Sequence, residues 1–264
     1  MPVKAAFIGA TGATLSNVLA KTLLAGFNAA ALVRDSAKLK KLLLSRGVPK
    51  ETIESSLVIV EETSSRSVAD CIELLRHDPE IVFSGITSLP KFQLNPFKPV
   101  SMQDETITGD SAVAAIEALR QLQSQGALSR KHIFAPISSV GHGAQRDQPL
   151  LMVPLYLWLL RVAQADMAVM EKTIRQAAIE ENSPLEGYVM PRPPLLTDGT
   201  EQGIERVRVG WTVEDPGLTG TQDNGPGVTV GYTISRIDLA NWMFKELVEG
   251  DVGSWNGKCV TLTY

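Results

Sequence analysis

The stretch from Lys4 to Leu15 constrains the fold more than any other part of the chain. An apolar run leads into Gly9-Ala10-Thr11-Gly12-Ala13-Thr14, a pattern typical of a buried strand, a tight turn and a helix start. Gly9 permits a sharp turn out of the strand, and Gly12 permits close approach of the backbone to a ligand. Since the amides of a helix start favour an anion, the stretch predicts a site for a dinucleotide pyrophosphate.

The glycine turn alone fits an ordinary strand-to-helix turn equally well. A second strand follows at the distance expected of a βαβ unit, which favours the nucleotide site. The third glycine of the dinucleotide fingerprint, which allows close packing of the helix on the strand, is replaced by Leu15, which weakens the prediction.

Composition predicts a folded α/β protein with a small-molecule partner. The chain has 264 residues, of which 44% are hydrophobic, so it can bury a substantial core. The formal net charge is −4 and no run of lysine or arginine stands out, which argues against nucleic acid as a partner. Cys71 and Cys259 have no metal or redox spacing, and we expect them to be buried free thiols in a reducing compartment.

We expect no secretory signal, because the N-terminus is predicted to enter a strand almost at once. The longest apolar run, Leu150 to Leu160, contains Pro154 and stops at Arg161, so it is too short to span a bilayer. We therefore expect a cytoplasmic protein with no membrane partner, and we leave open whether it forms a homo-oligomer.

Short apolar runs alternate with helical patterns along the first half of the chain. Such runs, bounded by turn residues, are typical of a parallel sheet covered on both faces, and their alternation with helices predicts a Rossmann-like, doubly wound α/β fold. The expected strands are 3–8, 28–33, 57–60, 81–84, 132–137, 187–190, 206–213, 228–234 and 259–262. The expected helices are 13–24, 36–45 with Ser36 as N-cap, 68–76, 111–124, 155–178 and 237–248.

We expect one domain, residues 1–264, in which residues 191–264 form a C-terminal cap over the ligand cleft. A long loop, residues 85–99, leaves the carboxyl end of a strand and contains Pro90, Pro96 and Pro99. Ligands bind at that edge of such sheets, so Gly85 and Ile86 are candidate cofactor-binding residues and the rest of the loop is expected to contact substrate. Residues 215–227, rich in Gly, Pro and Asp, predict an exposed turn region.

The residue that ends the second strand discriminates between NAD and NADP in this fold. An acidic residue there accepts bonds from the ribose 2′-hydroxyl, whereas a cation suits a 2′-phosphate. Arg34 offers a two-pronged contact to phosphate, and Lys38 lies one helical turn further on. Asp35 adds an opposing charge, and a solvated surface arginine is the alternative, but the pattern favours NADP(H).

The tyrosine–lysine pair of short-chain dehydrogenases is not found in this sequence. In that group a lysine follows the catalytic tyrosine by four positions, whereas Tyr264 is the last residue and the other three tyrosines are followed there by Leu160, Arg192 and Arg236. Acid catalysis by a tyrosine is therefore not expected.

Asp166 is the first candidate catalytic residue. Leu155, Leu159, Val162 and Val169 recur at helical spacing and predict one buried stripe, on which Asp166 falls. A carboxylate on an apolar face is costly unless it is paired, hydrogen-bonded or protonated. Two kinds of role fit. Asp166 can act beside the nicotinamide, as a general acid or base or as an anchor for a cationic substrate. Alternatively, it is a structural carboxylate that caps backbone N–H groups.

The loop after the fifth strand supplies the other candidates. Ser138 and Ser139 lie at the carboxyl end of that strand, where a hydroxyl can polarise a carbonyl. His142, between two glycines, is the histidine expected at the crevice, and Arg146 and Asp147 are expected to form an ion pair that fixes the loop. The three histidines have no metal-ligand spacing, so no metal site is predicted.

With these residues assembled, the chain resembles the NmrA-like, atypical short-chain dehydrogenase family, in particular its small fungal members of secondary metabolism. The matching pieces, in order, are Gly9-Ala10-Thr11-Gly12-Ala13-Thr14, Ala31-Leu32-Val33-Arg34, Arg146-Asp147-x-Pro149, Pro154-Leu155-Tyr156-x-Trp158-Leu159-Leu160, Ala165-Asp166, Arg192-Pro193-Pro194-x-Leu196-Thr197-Asp198-Gly199 and Ile234-Ser235-Arg236-x-Asp238-Leu239-Ala240. The resemblance implies a Rossmann fold, an NADP(H) site and a cleft covered by the C-terminal part. Pro193 and Pro194 would border that cleft, with Pro193 near the cofactor.

One position departs from the family pattern. Similar proteins often have lysine after the Ala-Asp pair, where this chain has Met167, and Lys172 is not in register to replace it. The departure puts ordinary ketone reduction in doubt.

Three functions are compatible with the sequence. The first is an NADPH-dependent reductase of a polyketide- or alkaloid-like metabolite, acting on a C=O, C=N or activated C=C bond, with Ser138 or Asp166 handling the proton. The second is a non-redox cyclase or isomerase on the same scaffold, with the cofactor structural or absent, which Met167 favours. The third is an NADP-binding regulatory sensor, although such proteins tend to be longer.

Overall fold

The computed structural model describes residues 3–94, 99–219 and 225–264. Two expectations fall partly outside these ranges: the role of Pro96 in the loop 85–99, and residues 220–224 of the expected turn region.

Strands and helices alternate through most of the described chain. The strands are β1 Ala5–Ile8, β2 Ala29–Val33, β3 Leu57–Glu61, β4 Ile81–Ser84, β5 Pro90–Phe92, β6 Val100–Met102, β7 His132–Pro136, β8 Leu185–Arg192, β9 Leu195–Thr197, β10 Arg208–Val213, β11 Thr233–Ser235 and β12 Lys258–Thr263. The helices are α1 Ala13–Leu24, α2 Ser36–Ser45, α3 Lys50–Ser56, α4 Val68–Leu75, α5 Ile107–Ser124, α6 Val153–Trp158, α7 Arg161–Ile179, α8 Pro216–Thr219 and α9 Arg236–Met243.

Eight strands form one sheet in the order β10-β12-β8-β7-β4-β1-β2-β3. Strand β10 is antiparallel to β12, and the other neighbours in this sheet are parallel. The strand order changes direction at β1. From β1 the chain adds β2 and β3 on one side, and it then crosses back to add β4 on the other side of β1. This confirms the predicted doubly wound α/β fold and places a crevice at the carboxyl ends of β1 and β4.

The core lies on both faces of the sheet because successive residues of a strand point in opposite directions. In β1, Ala5 and Phe7 face a layer that contains α1, α2 and α9, whereas Ala6 and Ile8 face a layer that contains α4, α5 and α7. Phe7 stacks on Phe83 of β4 with 5.1 Å between ring centroids. The central strands are therefore covered on both faces, as their unbroken apolar sequences predict.

The missing third glycine is compensated elsewhere in the fold. Leu15 is buried in the first turn of α1, and a Cβ added to Gly85 would lie 2.7 Å from its Cδ1 atom. The space that the fingerprint usually gains from a glycine on the helix is thus supplied by a glycine after β4. This explains how α1 packs close to the sheet although its third fingerprint position is a leucine.

The prediction of one continuous helix over residues 155–178 is wrong. The segment forms α6 and α7 at an angle of 90°, because Leu160 leaves the helical conformation with φ −102° and ψ 6°. The expected buried stripe is also wrong within α7, where Val169 is 52% exposed. On α7 the buried positions are instead Asp166, Met170, Glu171, Ile174, Ala177 and Ala178.

Several smaller predictions are also corrected. The N-cap of α2 is Asp35 and not Ser36, because the Asp35 side chain accepts a hydrogen bond from the backbone N–H of Lys38 at 2.8 Å. The expected strand 228–234 is reduced to β11, and the expected helix 237–248 changes after Met243 into a π-helical turn. Helix α3 and the antiparallel pair of β5, inside the loop 85–99, with β6, just after it, were not predicted.

Cys71 and Cys259 are both free and buried, which confirms the expectation for the thiols. Burial raises the pKa of the Cys71 thiol to about 12, so it stays protonated at neutral pH.

In the described part of the chain, no single helix combines the length and apolar composition needed to cross a membrane. The segments 150–158 and 161–179 meet these criteria only together, with the 90° bend between them.

We predict that Gly85→Ala destabilises the protein by about 1–3 kcal/mol, because the new methyl group overlaps Leu15 in a packed core. The free energy of unfolding in denaturant measures this. Gly217→Ala is the matched control, since a Cβ there meets nothing within 4 Å and the change should stay within about 0.5 kcal/mol.

A Leu15→Ala background tests the mechanism of this loss. Removing the leucine side chain leaves room for the methyl group, so Gly85→Ala should cost less there than in the wild-type chain. An equal cost in both backgrounds would show that Gly85 is not needed to accommodate Leu15.

Candidate active-site cleft

A cleft of about 240 Å³ lies at the carboxyl ends of β1, β4 and β7. The predicted cofactor and catalytic residues on its wall are Gly12, Ala13, Thr14, Gly85, Ile86 and Ser138. The residues that join them are Leu15, Thr87, Ile137, Met167, Leu196 and Arg236. Distant parts of the chain, including the C-terminal third, thus share one space with the glycine turn.

The glycine turn has the backbone geometry that its sequence predicts. Gly9 has φ +81°, a left-handed conformation that favours glycine, and its carbonyl accepts the Gly12 N–H at 3.0 Å. Gly12 is the N-cap of α1 and provides no side-chain cap, and the first turn of α1 has no acidic residue. The positive end of the helix dipole is therefore left for an external anion at the cleft.

Arg34 and Lys38 lie at the same edge of the sheet but outside the residues that line the cleft. Ile8 of β1 is in register with Leu32 of β2, so Arg34 follows at the level of the glycine turn. Both cations are exposed. Asp35, the opposing charge in the sequence, directs a carboxylate oxygen to the amides of α2, which reduces its conflict with an anion beside Arg34.

A second carboxylate, on Glu62, also lies near Arg34. Burial raises the pKa of Glu62, and the charge of Arg34 offsets this only in part. The sequence did not suggest that this carboxylate lies beside Arg34.

Ser138 is buried in the cleft wall and donates a hydrogen bond from Oγ to Glu171 Oε1 at 2.6 Å. Glu171 in turn accepts two bonds from Arg192, at 2.9 Å to Nε and 2.6 Å to Nη2. Burial alone would raise the pKa of Glu171, but the hydrogen bonds and charge of Arg192 hold it below its ordinary value. Because the ionised Glu171 accepts the hydrogen bond of the Ser138 hydroxyl, that proton points to Glu171. The serine oxygen therefore presents lone pairs to the cleft.

The charge network continues behind Ser138. Arg192 Nη1 bonds to Glu214 Oε1 at 2.6 Å, and the other oxygen of Glu214 accepts a bond from Arg175 Nη1 at 2.7 Å. Arg175 also makes a two-pronged contact with Asp215, at 2.7 and 2.9 Å. Two guanidinium groups and three carboxylates therefore connect β8, α7 and the end of β10.

Asp166 is a cap for another helix. Its two carboxylate oxygens accept the backbone N–H groups of Thr108 and Gly109, each at 2.8 Å, in the first turn of α5. Thr106, the N-cap of α5, makes no side-chain cap, so Asp166 supplies it from α7. This is the structural alternative left open by the sequence, and the neighbouring Met167, not Asp166, lines the cleft.

The expectation that His142 lies at the crevice is wrong. His142 lines a different cavity of about 320 Å³, together with Glu171, Lys172 and Arg175. Its Nε2 atom is buried and has no hydrogen-bond partner in the described part of the chain. Burial lowers the pKa of His142, so it is held neutral.

The predicted ion pair of Arg146 with Asp147 is also not formed. Arg146 Nη1 donates to the Gln148 carbonyl at 2.7 Å, and Asp147 Oδ1 accepts the Gly141 N–H at 2.8 Å. The side chains of these two residues therefore fix the loop 138–149 by bonding to its backbone groups.

Pro193, a predicted cofactor residue, helps to hold the same loop. It is buried, and its carbonyl accepts the Val140 N–H at 3.2 Å.

The remaining predicted positions, Gly9 and Thr11, shape the turn without lining the cleft.

Sequence reasoning missed Glu171 and Arg236 as residues of the site. The signal for Glu171 was its place beside Met170 on the buried side of α7, where an ionisable residue needs a partner. Among the described residues, no group of three or more His, Cys, Asp and Glu side chains is placed to hold a metal ion.

Comparisons with known proteins are consistent with this geometry. The chain is 34% identical to reductase pytE of Aspergillus terreus, over 98% of this chain and 97% of that protein. It is 30% identical to oxidase pynE of Aspergillus niger, again over 98% and 97% of the two chains. No protein-family model matches the chain.

Solved structures share the fold at low sequence identity. ChuY, an anaerobillin reductase from Escherichia coli O157:H7, is 13% identical with a TM-score of 0.58, over 99% of this chain and 97% of that chain. An alcohol dehydrogenase from Thermococcus sibiricus, in complex with 5-hydroxy-NADP, is 13% identical with a TM-score of 0.56, over 93% and 90%. At this identity the likeness establishes the Rossmann-type fold.

We predict that Asp166→Asn destabilises the protein by about 1–3 kcal/mol, because the amide offers one acceptor oxygen where two backbone N–H groups are bonded. The free energy of unfolding measures the loss. An unchanged stability accompanied by lost turnover would contradict the capping role and support the catalytic one.

Asp147 predicts a pH-dependent stability. Burial raises the pKa of this carboxyl above that of the unfolded chain, and its Oδ2 has no partner among the described residues. The group therefore contributes stability below a pH of about 3.9 that is lost as the pH rises through the folded-state pKa. The difference in stability between Asp147→Asn and wild type, measured by thermal unfolding, should favour the variant more at pH 7 than at pH 3. A difference that is the same at both pH values would contradict this.

Proposed function

Because the chain belongs to the family of fungal reductases and oxidases that includes pytE and pynE, we propose that it is an NADP(H)-dependent oxidoreductase. Its proposed substrate is a polyketide- or alkaloid-like metabolite, which it reduces at a C=O, C=N or activated C=C bond. The observation that carries the proposal is the cleft, in which the glycine turn, Ser138 and Met167 share one space.

The residues present fit a nicotinamide dinucleotide. The turn from Gly12 to Thr14 has an uncapped helix start for the diphosphate, and Arg34 with Lys38 lies at the sheet edge for a 2′-phosphate. Leu15, Ile86 and Met167 give the inner part of the cleft an apolar wall that excludes water from the reacting carbon. When bound, NADPH supplies a hydride.

The chain's own residues limit how a proton is supplied. The described wall of the cleft contains hydroxyl groups and the guanidinium of Arg236, but no side chain that titrates near neutral pH. Ser138 directs its proton to Glu171 and must rotate before it can donate to a substrate oxygen. The site is therefore better suited to an acceptor that needs little protonation, such as an iminium carbon or a conjugated C=C bond, than to an isolated ketone.

Met167 supports a second candidate, a cyclase or isomerase without net redox chemistry. Its thioether lines the cleft where related proteins often have lysine, and a thioether carries no charge to support proton transfer. In this alternative the dinucleotide would be a structural part of the site. Formation of product with no change in the nicotinamide absorbance would favour it over the reductase.

We predict that the wild-type protein binds NADP⁺ more tightly than NAD⁺ in calorimetry and consumes NADPH with an accepted substrate. Arg34→Ala should weaken NADP⁺ binding about tenfold and leave NAD⁺ binding unchanged, because only NADP⁺ carries the 2′-phosphate. Arg120→Ala is the matched control, since Arg120 pairs with Glu180 on the surface.

Two outcomes would contradict the proposal. If neither dinucleotide binds to the wild-type protein, the assignment of the cleft fails. If Arg34→Ala weakens both dinucleotides equally, the NADP preference does not reside at Arg34.

A further inference from the structure

Arg236 is the charged side chain in the described wall of the cleft, and it comes from the C-terminal third of the chain. It begins α9, and the preceding Ser235 caps that helix by accepting the Asp238 N–H at 3.0 Å. Helix α9 packs on α1, and both helices contribute to one core layer, to which Leu239 and Val18 belong. The position of Arg236 relative to the glycine turn is thus fixed by the packing of two helices.

The electrostatics of the cleft are one-sided. Arg236 shares the cleft with Gly12, Ala13 and Thr14, the uncapped start of α1, and the described wall contains no carboxylate. Two sources of positive potential, a guanidinium and a helix N-terminus, therefore face the same space without an acidic wall residue to balance them. Such a space favours an anion that both the guanidinium and the helix N-terminus can contact.

The partner that Arg236 has in the structure is weakly held. Its Nη1 atom lies 2.7 Å from Asp198 Oδ1, and the Asp198 side chain is 85% exposed. An exposed ion pair of this kind contributes about 0–1 kcal/mol, so a ligand anion can replace it at little cost. Arginine also has several N–H donors in a planar fork, which suits phosphate oxygens.

We propose that Arg236 binds the diphosphate of the dinucleotide and that Asp198 competes with the diphosphate for it. This inference rests on the proposed function, because it assumes that the cleft takes a dinucleotide. The cofactor thereby gains a second contact, which Arg236 of α9 makes to the diphosphate. NADP⁺ and NAD⁺ have this diphosphate in common.

The test compares two substitutions that break the same ion pair from its two ends. In calorimetry with NADP⁺ and with NAD⁺, Arg236→Ala should weaken both dinucleotides by a common factor of about ten. Asp198→Asn should tighten both about twofold to fivefold, since it removes the competitor and leaves the guanidinium free. Arg236→Lys, which keeps the charge but loses the fork, should fall between wild type and Arg236→Ala.

The opposite signs separate a ligand contact from a structural one. If the Arg236–Asp198 pair only stabilises the fold, both substitutions lower the melting temperature of the free protein and affect binding in the same direction or not at all, which would overturn the inference. An effect of Arg236→Ala on NADP⁺ alone would also overturn it, because that result places Arg236 at the 2′-phosphate.

Failure of the inference is distinguishable from failure of the proposed function. A wild-type protein that binds NADP⁺ while Arg236→Ala binds it equally well refutes only the role of Arg236. If Arg236→Ala does not fold, as judged by circular dichroism, Arg236→Lys and Asp198→Asn still give the ordered affinities that the inference requires. The surface variant Arg120→Ala should bind both dinucleotides as wild type does.

Discussion

The burial of Arg192 is the constraint on which the arrangement around the cleft depends. Arginine keeps its charge in a protein, and at 1% exposure Arg192 has lost nearly all of its hydration. The compensating carboxylates come from two other elements, Glu171 on α7 and Glu214 at the end of β10. Strand β8, helix α7 and the antiparallel edge of the sheet are therefore held in one relative position. Removing either carboxylate would leave the buried guanidinium of Arg192 with a single carboxylate partner.

This ion pair also determines how Ser138 faces the cleft. The serine proton is directed to Glu171, and Arg192 keeps that carboxylate ionised. The same cleft carries Arg236 and the uncapped start of α1. A source of positive potential suited to the proposed diphosphate and an electron-rich serine oxygen therefore share one space.

The parts of the fold that local sequence determines were predicted well. The bounds of α1 and β4 agree with the structure, because a glycine turn and a short apolar run act over a few residues. The break at Leu160 was missed since the apolar spacing continues across it. Leu15 was taken as a weakness of the fingerprint because its partner, Gly85, is 70 positions away in the sequence. Contacts of that range depend on the packing of elements, which periodicity does not contain.

The two carboxylates of α7 show why the site was harder to predict than the fold. Asp166 and Glu171 are both buried on one helix, and the apolar-face argument applies to each of them. What each does depends on what it faces: Asp166 meets the amides of α5, whereas Glu171 meets a guanidinium and a hydroxyl. Met167 lies between them and is the residue of this segment that lines the cleft.

Helix α7 therefore offers the proposed substrate an apolar thioether, with both neighbouring carboxylates already engaged. A reaction that builds up charge on an isolated alkoxide gains nothing from such a wall. Hydride transfer to a carbon whose neighbouring group already carries positive charge, or can spread the negative charge by conjugation, needs no strong acid at this position. The arrangement of α7 thus supports the proposed preference for activated acceptors over simple ketones.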